Sequence, residues 1–517
     1  MANNTTDETI DALKSAQTKP SEALSKAVTQ GWQQGSGLVH YDLEAPAKKL
    51  YPVITPLRNM IPRVPGDGGT ATNWKAITGI NTTAMHMGVG ESRRSGFITN
   101  ETRDYTASYA GIGLESFVTF EGEYAAENFD DLRARAVESL LRSFFIGEEQ
   151  LILGGNASLS LGQTPTPALS ELAVSTSTSL TNDPHEVYCV ALTHDGFYRS
   201  SVSATGVPFT ETRADADGGA SLVISGGAAQ VSASAQIHPG AGAAVYAQVA
   251  PVTGAYAYAW YFGLVSGDKR IAAITTTAAV VLDALPDSNN QNVTAAPAAD
   301  HSRDTTVFDG ILTQCSISGN NSYVSHLANV DDAAALAAYN ANQAVGTKLQ
   351  SDNAGGIKQI DEALQSFWDN YRVSPDMIIV SGQELKNLTH LLIQSGGANL
   401  FQFTMSGTGE DVGGRTITAG TVIGSYLNKF TMSGGQMVKV MLHPNLAPGT
   451  ILFYSSSIPY PLSNVSNVMQ IKARRTYYQI EWPLRQRRYE FGVYCDELLQ
   501  CYFPPAFGYI SNIADGV

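Results

Sequence analysis

The sequence is poor in cysteine, in charge and in basic residues. Cys189, Cys315, Cys495 and Cys501 are its four cysteines in 517 residues. That is too few to staple a chain of this length with a disulfide framework. Charged residues make up 15%, against roughly 25% in an average soluble domain. Much of the surface is therefore uncharged, which suits extensive protein–protein contact. Lys plus Arg number 32 against 47 Asp plus Glu, a net charge of −15. A chain built mainly to grip nucleic acid is usually basic, so that class is excluded for the whole chain. No run of about 18 apolar residues occurs, so no membrane span is expected. The opening stretch "MANNTTDETIDALKSAQTKPSEALSKAVTQ" has no apolar core and no cleavage-like site, so it does not read as a secretory leader.

Sequence signatures of catalysis are missing too. The nine histidines are scattered, none at the i, i+4 spacing of a helical metal pair, and a catalytic zinc needs three convergent ligands. No G-x-S-x-G elbow or phosphate-binding G-x-x-x-x-G-K-[ST] loop occurs, and "GAGAAVY" lacks the lysine that would hold phosphate. "ADADGG" begins like a calcium loop with Asp215 and Asp217. It lacks a third carboxylate and has Gly226 where the bidentate Glu belongs, so it reads as a turn. Cys495 and Cys501 share strand parity, which puts both on one face but about 20 Å apart. That separation excludes a disulfide or a shared metal, so both read as packed residues. The expectation is no catalytic, cofactor-binding or metal residue and no enzyme.

The chain is organised in blocks. Residues 1–65 begin as a polar arm and pass into "KKLYPVITPLRNMIPRVPGDGG", whose prolines favour an extended path. Residues 66–124 turn β-like: "ATNWKAITGI" and "RDYTASYAGIGLESFVTFEG" flank "GVGESRRSG". This predicts a long two-stranded excursion with Arg93 and Arg94 at its tip. A lone hairpin is marginal in water, so this one needs another surface to lie against.

"NFDDLRARAVESLLRSFFIGEEQLILGGN" within 125–162 predicts the clearest helix. Asn128 is its expected cap, Asp130 and Asp131 sit in its first turn, and Gly154 and Gly155 stop it. Leu132, Ala136, Leu140 and Phe144 form its apolar stripe.

Residues 163–298 are rich in small and β-branched types, with short β-like runs such as "AAVYAQVA" and "AYAYAWYFG" between turns. They predict an all-β sandwich inserted into a host domain. After a return segment, 299–345, comes a helix–strand–helix pattern within 346–470. Ile357, Ile360, Leu364, Phe367 and Tyr371 line the first helix, Pro375 ends it and "MIIV" follows. Residues 471–517 close the chain with strands. The fold class read from this order is α+β.

"KARRTYYQIEWPLRQRR" concentrates Lys472, Arg474, Arg475, Arg485, Arg487 and Arg488, with only Glu481 and Glu490 as acidic partners in the stretch. Three readings stand: a nucleic-acid patch, charge pairing with an acidic face of a neighbouring subunit, or a solvated edge. Arg93 and Arg94 are placed to reach another chain in the same way.

A polar arm, a long β excursion, a spine-like helix ending "GEEQLILGGN" and an α+β layer resemble the major capsid proteins of tailed double-stranded DNA bacteriophages, which have the HK97-type fold. "YEFGVYCDELLQCYFPPAFGYI" is similar to that family's closing strands, which usually carry a "GVYVDE"-like run, and "FDGILTQCSIS" looks like the return into the host fold. The resemblance implies an N-terminal arm, an extended loop, a peripheral domain with the spine helix, and an axial domain. An immunoglobulin-like or fibronectin-like module is inserted.

It also implies self-assembly into homo-pentamers and homo-hexamers of an icosahedral head, with no cofactor and no membrane. Arg93, Arg94, Arg474, Arg475, Arg485, Arg487 and Arg488 become candidate subunit-interface residues. A scaffolding protein, a portal and head-completion or decoration proteins are the implied partners, and packaged double-stranded DNA is touched loosely. The chain would be made in the bacterial host cytoplasm and end in the virion. Two other readings are an encapsulin-like nanocompartment shell and a β-rich carbohydrate-binding surface protein that stacks sugar on "AYAYAWYFG".

Overall fold

The computed structural model describes residues 48–80, 88–127, 129–173, 180–214, 219–240, 242–330, 345–352, 356–394, 402–404, 416–418, 424–432, 434–460 and 463–515. The polar arm up to residue 47, Asn128, Asp215 and Asp217 lie outside them. Helices and sheets are mixed along the chain, as the α+β reading expects.

The long helix is Leu132–Gly154, and its cap is Asp131, whose carboxylate accepts the Ala134 N–H. A cap must sit three residues before a free helical N–H. The aspartate expected inside the first turn takes that place instead of Asn128. The helix stops at Gly155, where ψ opens to 141°, and only glycine fits there: a Cβ would lie 2.5 Å from the Phe308 carbonyl oxygen and 2.8 Å from that of Leu151.

The helix lies against a four-stranded sheet with strand order Arg63–Pro65, Met469–Glu481, Arg488–Cys501, Ala110–Thr119. This corrects the reading of 66–124 as one two-stranded excursion. Among the described residues, Ala71–Ile80 and Asn100–Ser108 form the ribbon, in register Trp74 opposite Tyr105. Ala110–Thr119 leaves it and pairs antiparallel with Arg488–Cys501. The physical reason is burial, since Ala110, Ile112 and Val118 belong to the same core as Leu140 and Phe144 of the helix. The root of the ribbon rests on the host, where Trp74 stacks on Tyr105 at 5.6 Å and meets Tyr502 edge-on at 6.0 Å.

Within 163–298, Ala168–Ala173, Ala243–Gln248 and Ala279–Leu282 form one antiparallel sheet. Ala235–Ile237, His185–Leu192, Ala257–Leu264 and Arg270–Thr275 form another. Val187, Trp260, Phe262, Val245 and Val280 from both sheets share one apolar cluster. The block is tied firmly to the rest of the chain. The Ala278 N–H donates to Asn512 Oδ1 (2.7 Å), the Val345 N–H to the Ala279 carbonyl (3.1 Å) and the Tyr246 hydroxyl to the Val330 carbonyl (2.7 Å).

A third layer is a six-stranded mixed sheet, ordered Tyr323–His326, Gly508–Ser511, Ile451–Tyr454, Met377–Val380, Gln436–Leu442, Ser425–Asn428. Helix Lys358–Tyr371 packs on it through Ile360, Leu364 and Phe367, and helix Gly382–Gln394 through Leu388. The first helix ends before Pro375, at Arg372, whose φ of 54° turns the chain left-handed. No helix among the described residues is long and apolar enough to cross a membrane.

Candidate subunit-interface site

The ribbon supplies the most conspicuous unpaired surface. Beyond its rooted half, Ile77, Val89, Phe97 and Ile98 are exposed, Phe97 by 93%. Arg93 and Arg94 are exposed on the same segment, where the Arg93 N–H closes a turn onto the Gly90 carbonyl (3.0 Å). Apolar side chains flanked by arginine are the composition that dominates protein contacts. Exposed on the first strand and in the segment leading to the second, they have no core to fill among the described residues.

The second basic group does not form one patch. Arg474 pairs with Asp496 (3.2 Å), donates to the Gly69 carbonyl (2.9 Å) and lies over the Tyr109 ring, while Arg475 stacks on Tyr478 at 3.7 Å. Lys472 pairs with the exposed Asp67 at 3.3 Å. At the far end of the same hairpin, Arg487 pairs with Glu121 at 2.9 Å and Arg488 with Glu490, and Arg485 borders a cavity beside Trp482. Asp67, Asp496 and Glu121, which sequence proximity could not supply, thus offset much of the apparent excess. Phe117, Tyr124, Trp482 and Leu484 are exposed around that end.

What holds the segment before the ribbon in place is a buried charge network that sequence reading missed. Glu148 and Glu149 are fully buried near the end of the long helix. Arg58 donates through Nε to Glu148 Oε2 (2.9 Å), Arg63 contacts its other oxygen, and the Tyr477 hydroxyl donates to Oε2 (2.7 Å). Arg63 also reaches buried Glu497 at 2.8 Å. The Arg58 guanidinium lies 3.8 Å over the Phe145 ring. Burial pushes the Tyr477 phenol up to about 12, so it stays a donor at neutral pH.

Glu149 accepts the Leu57 and Arg58 N–H groups at 2.8 and 2.7 Å. These are free donors at the start of the short helix Pro56–Met60, where a carboxylate is favoured. His443 joins it through Nε2 at 2.7 Å. One signal was legible: Glu148 continues the spacing of Leu140 and Phe144 toward Ile152, so a charge sits on an apolar stripe.

The four cysteines are all free and buried. Cys495 and Cys501 lie on one strand, and burial is the largest cause raising both thiols well above their ordinary range. They are packing residues. Trp260 is fully buried and donates through Nε1 to Thr275 Oγ1 (2.8 Å), and every residue from Ala255 to Phe262 is buried. The stretch proposed for sugar stacking is core. Among the described residues no group of three or more His, Cys, Asp or Glu side chains is placed to hold a metal ion.

Glu384 is a separate buried acid at the start of helix Gly382–Gln394. It accepts from the Gly449 N–H at 3.2 Å and from Gln383 at 3.1 Å. Burial raises its carboxyl to about 7. The folded state therefore favours the protonated acid, and that stability is full below about pH 4.5 and lost as pH rises through 7. Glu384→Gln should remove this dependence. Chemical unfolding at pH 5 and pH 8 should show the variant gaining up to about 3 kcal/mol relative to the parent at the higher pH. An unchanged pH profile would count against the assignment.

No family model and no curated protein sequence matches the chain. Solved structures that resemble it include the capsid of Myoviridae Phage XM1. It is 10% identical, with 94% of this chain and 100% of that one covered and a TM-score of 0.40. The capsid of a native GTA particle, at 8% identity, covers 94% and 99% with a TM-score of 0.41. The holo-SrpI encapsulin complex from Synechococcus elongatus PCC 7942, at 8% identity, covers 93% and 94% with a TM-score of 0.33.

Proposed function

We propose that this chain is the major capsid protein of a tailed double-stranded DNA phage, a self-assembling shell subunit of the HK97-type fold. The observation that carries the reading is the projecting ribbon. A ribbon with Ile77 exposed on its first strand, and Val89, Phe97 and Ile98 exposed in the segment leading to its second, is unfavourable in an isolated subunit and favourable once neighbours cover it.

In this reading residues 1–65 are the arm, 66–124 the extended loop, and 125–162 the spine of the peripheral domain. Residues 163–298 are the insertion, 299–345 the return, 346–470 the axial domain and 471–517 the closing strands. Ala110–Thr119 then serves both the loop and the peripheral sheet. Arg93 and Arg94 contact a neighbouring subunit. Arg474, Arg475, Arg485, Arg487 and Arg488 share their carboxylates between their own chain and the next. Arg487 and Glu121 fit this role, because both stay largely exposed while paired.

Many modest symmetric contacts, rather than one large interface, stabilise such a shell. A scaffolding protein, portal, decoration proteins and loosely held DNA complete the partner set, and assembly takes place in the host cytoplasm. The protein performs no catalysis.

The doubly substituted chain Phe97→Asp, Ile98→Asp tests the ribbon's role. It should retain the parent's circular dichroism and thermal midpoint within error while losing assembly by sedimentation velocity. Assembly equal to the parent's would overturn the assignment of the ribbon as an interface.

A further inference from the structure

Two buried histidines meet where the 163–298 block joins the long helix. Helix His194–Arg199 begins at Thr193, whose hydroxyl accepts the Gly196 N–H at 3.2 Å. This places the His194 ring on Gly154, the last residue of the long helix. A Cβ at Gly154 would lie 2.5 Å from His194 Nδ1, so the two elements touch without a gap. Tyr198 and Tyr256 enclose the ring, with centroids 5.1 and 6.1 Å away. His194 Nε2 is buried with no hydrogen-bond partner among the described residues.

The other side of the joint is the loop after strand Gln436–Leu442. There the Asn445 N–H donates to His443 Nδ1 (3.1 Å), which leaves the proton on Nε2 to be donated to Glu149. The Asn445 backbone also reaches His194.

Of the groups that face His194, the Asn445 backbone favours the charged ring, but no acidic side chain among the described residues pairs with it. On its own helix, Asp195 and Arg199 are paired with each other at 2.9 Å. From the loop the facing group is His443, and from the strand side it is the Tyr256 phenol. On the long helix, Glu149 is already engaged by Leu57, Arg58 and His443. A cavity of about 900 Å³ lies beside the joint, with Leu151, Asp195, Arg199, Leu222 and Tyr494 among its lining residues.

We propose that this junction is an acid-sensitive joint, in which protonation of His194 frees helix His194–Arg199 from the end of the long helix and loosens the 163–298 block from its host. Burial holds the His194 imidazole down at about 4, against about 6.5 when solvated. Stability from the neutral ring is complete above pH 6.5 and is lost as pH falls toward 4. The inference rests on the joint alone and stands whether or not the chain builds a shell.

Hydrogen exchange of the full chain between pH 7 and pH 4.5, corrected for intrinsic rates, tests it. The opening population of amides 194–200 and 151–155 should rise on the order of fifty-fold across that range by single-proton linkage. Amides of helix Lys358–Tyr371, which packs in a separate apolar cluster, should not follow. The rise should vanish in His194→Gln and persist in His326→Gln, which removes a histidine outside the joint. A flat wild-type profile at the joint overturns the proposal without reference to any variant. So does a rise of equal size in His194→Gln.

Discussion

Glu148→Ala should cost the unassembled subunit about 3–5 kcal/mol in chemical unfolding, among the largest losses from a single charge in this chain. The substitution leaves Arg58 and Arg63 in a buried site with one carboxylate fewer, and Arg63 keeps only Glu497. Most of the cost is the uncompensated guanidinium charge, not the lost bonds themselves. The Tyr477 hydroxyl also loses its acceptor. Arg63→Ala should be costly for the mirror-image reason. The double variant should cost clearly less than the sum of the two, because each single change strands a charge that the other removes. Additive losses would mean that Glu148 and Arg63 are not one network. The effect bears on function as well: the network fixes the segment leading into the ribbon, so its loss should impair assembly even at temperatures where the subunit stays folded.

Trp260→Ala should destabilise by about 3–5 kcal/mol, the usual range for emptying a buried aromatic site. Trp260 is among the largest fully buried side chains, and its Nε1–H bond to Thr275 is continued by Thr275 donating to the Thr277 carbonyl at 2.6 Å. Truncation opens a cavity between the two sheets and leaves the Thr275 hydroxyl without its donor. Trp260→Phe should recover much of the packing and lose mainly the hydrogen bond, a cost of about 1 kcal/mol. Because the block shares contacts with the host through Asn512, Val330 and Val345, the loss should appear in the main unfolding transition. A separate early transition confined to 163–298 would show that the block folds on its own.

Local structure was readable wherever one periodicity ran unbroken. Leu132 to Phe144 gave the long helix, Ile360 to Phe367 the second, and Ala71–Ile80 the first ribbon strand. What the sequence did not reveal was partnership. The β-like character of Ala110–Thr119 was plain, but its partner Arg488–Cys501 comes from the other end of the chain, and alternation alone does not choose between partners. The basic cluster looked unpaired because Asp67, Asp496 and Glu121 are neighbours in space and not in the local sequence.

Glu148, Glu149, Glu384 and His194 were passed over for a related reason. A titratable residue is ordinarily read as solvated. Only Glu148 carried a warning, through its place on the stripe of Leu140, Phe144 and Ile152. The cysteines were settled correctly by parity, because strand geometry fixes the reach of a side chain.

Negative-stain electron microscopy of the purified full chain, with sedimentation velocity on the same sample, tests the central claim most directly. The expected result is closed shells, tubes, or rings of five and six subunits that grow with concentration. A species that stays at the monomer mass of 55.0 kDa at every concentration, with and without a scaffolding partner, would contradict it.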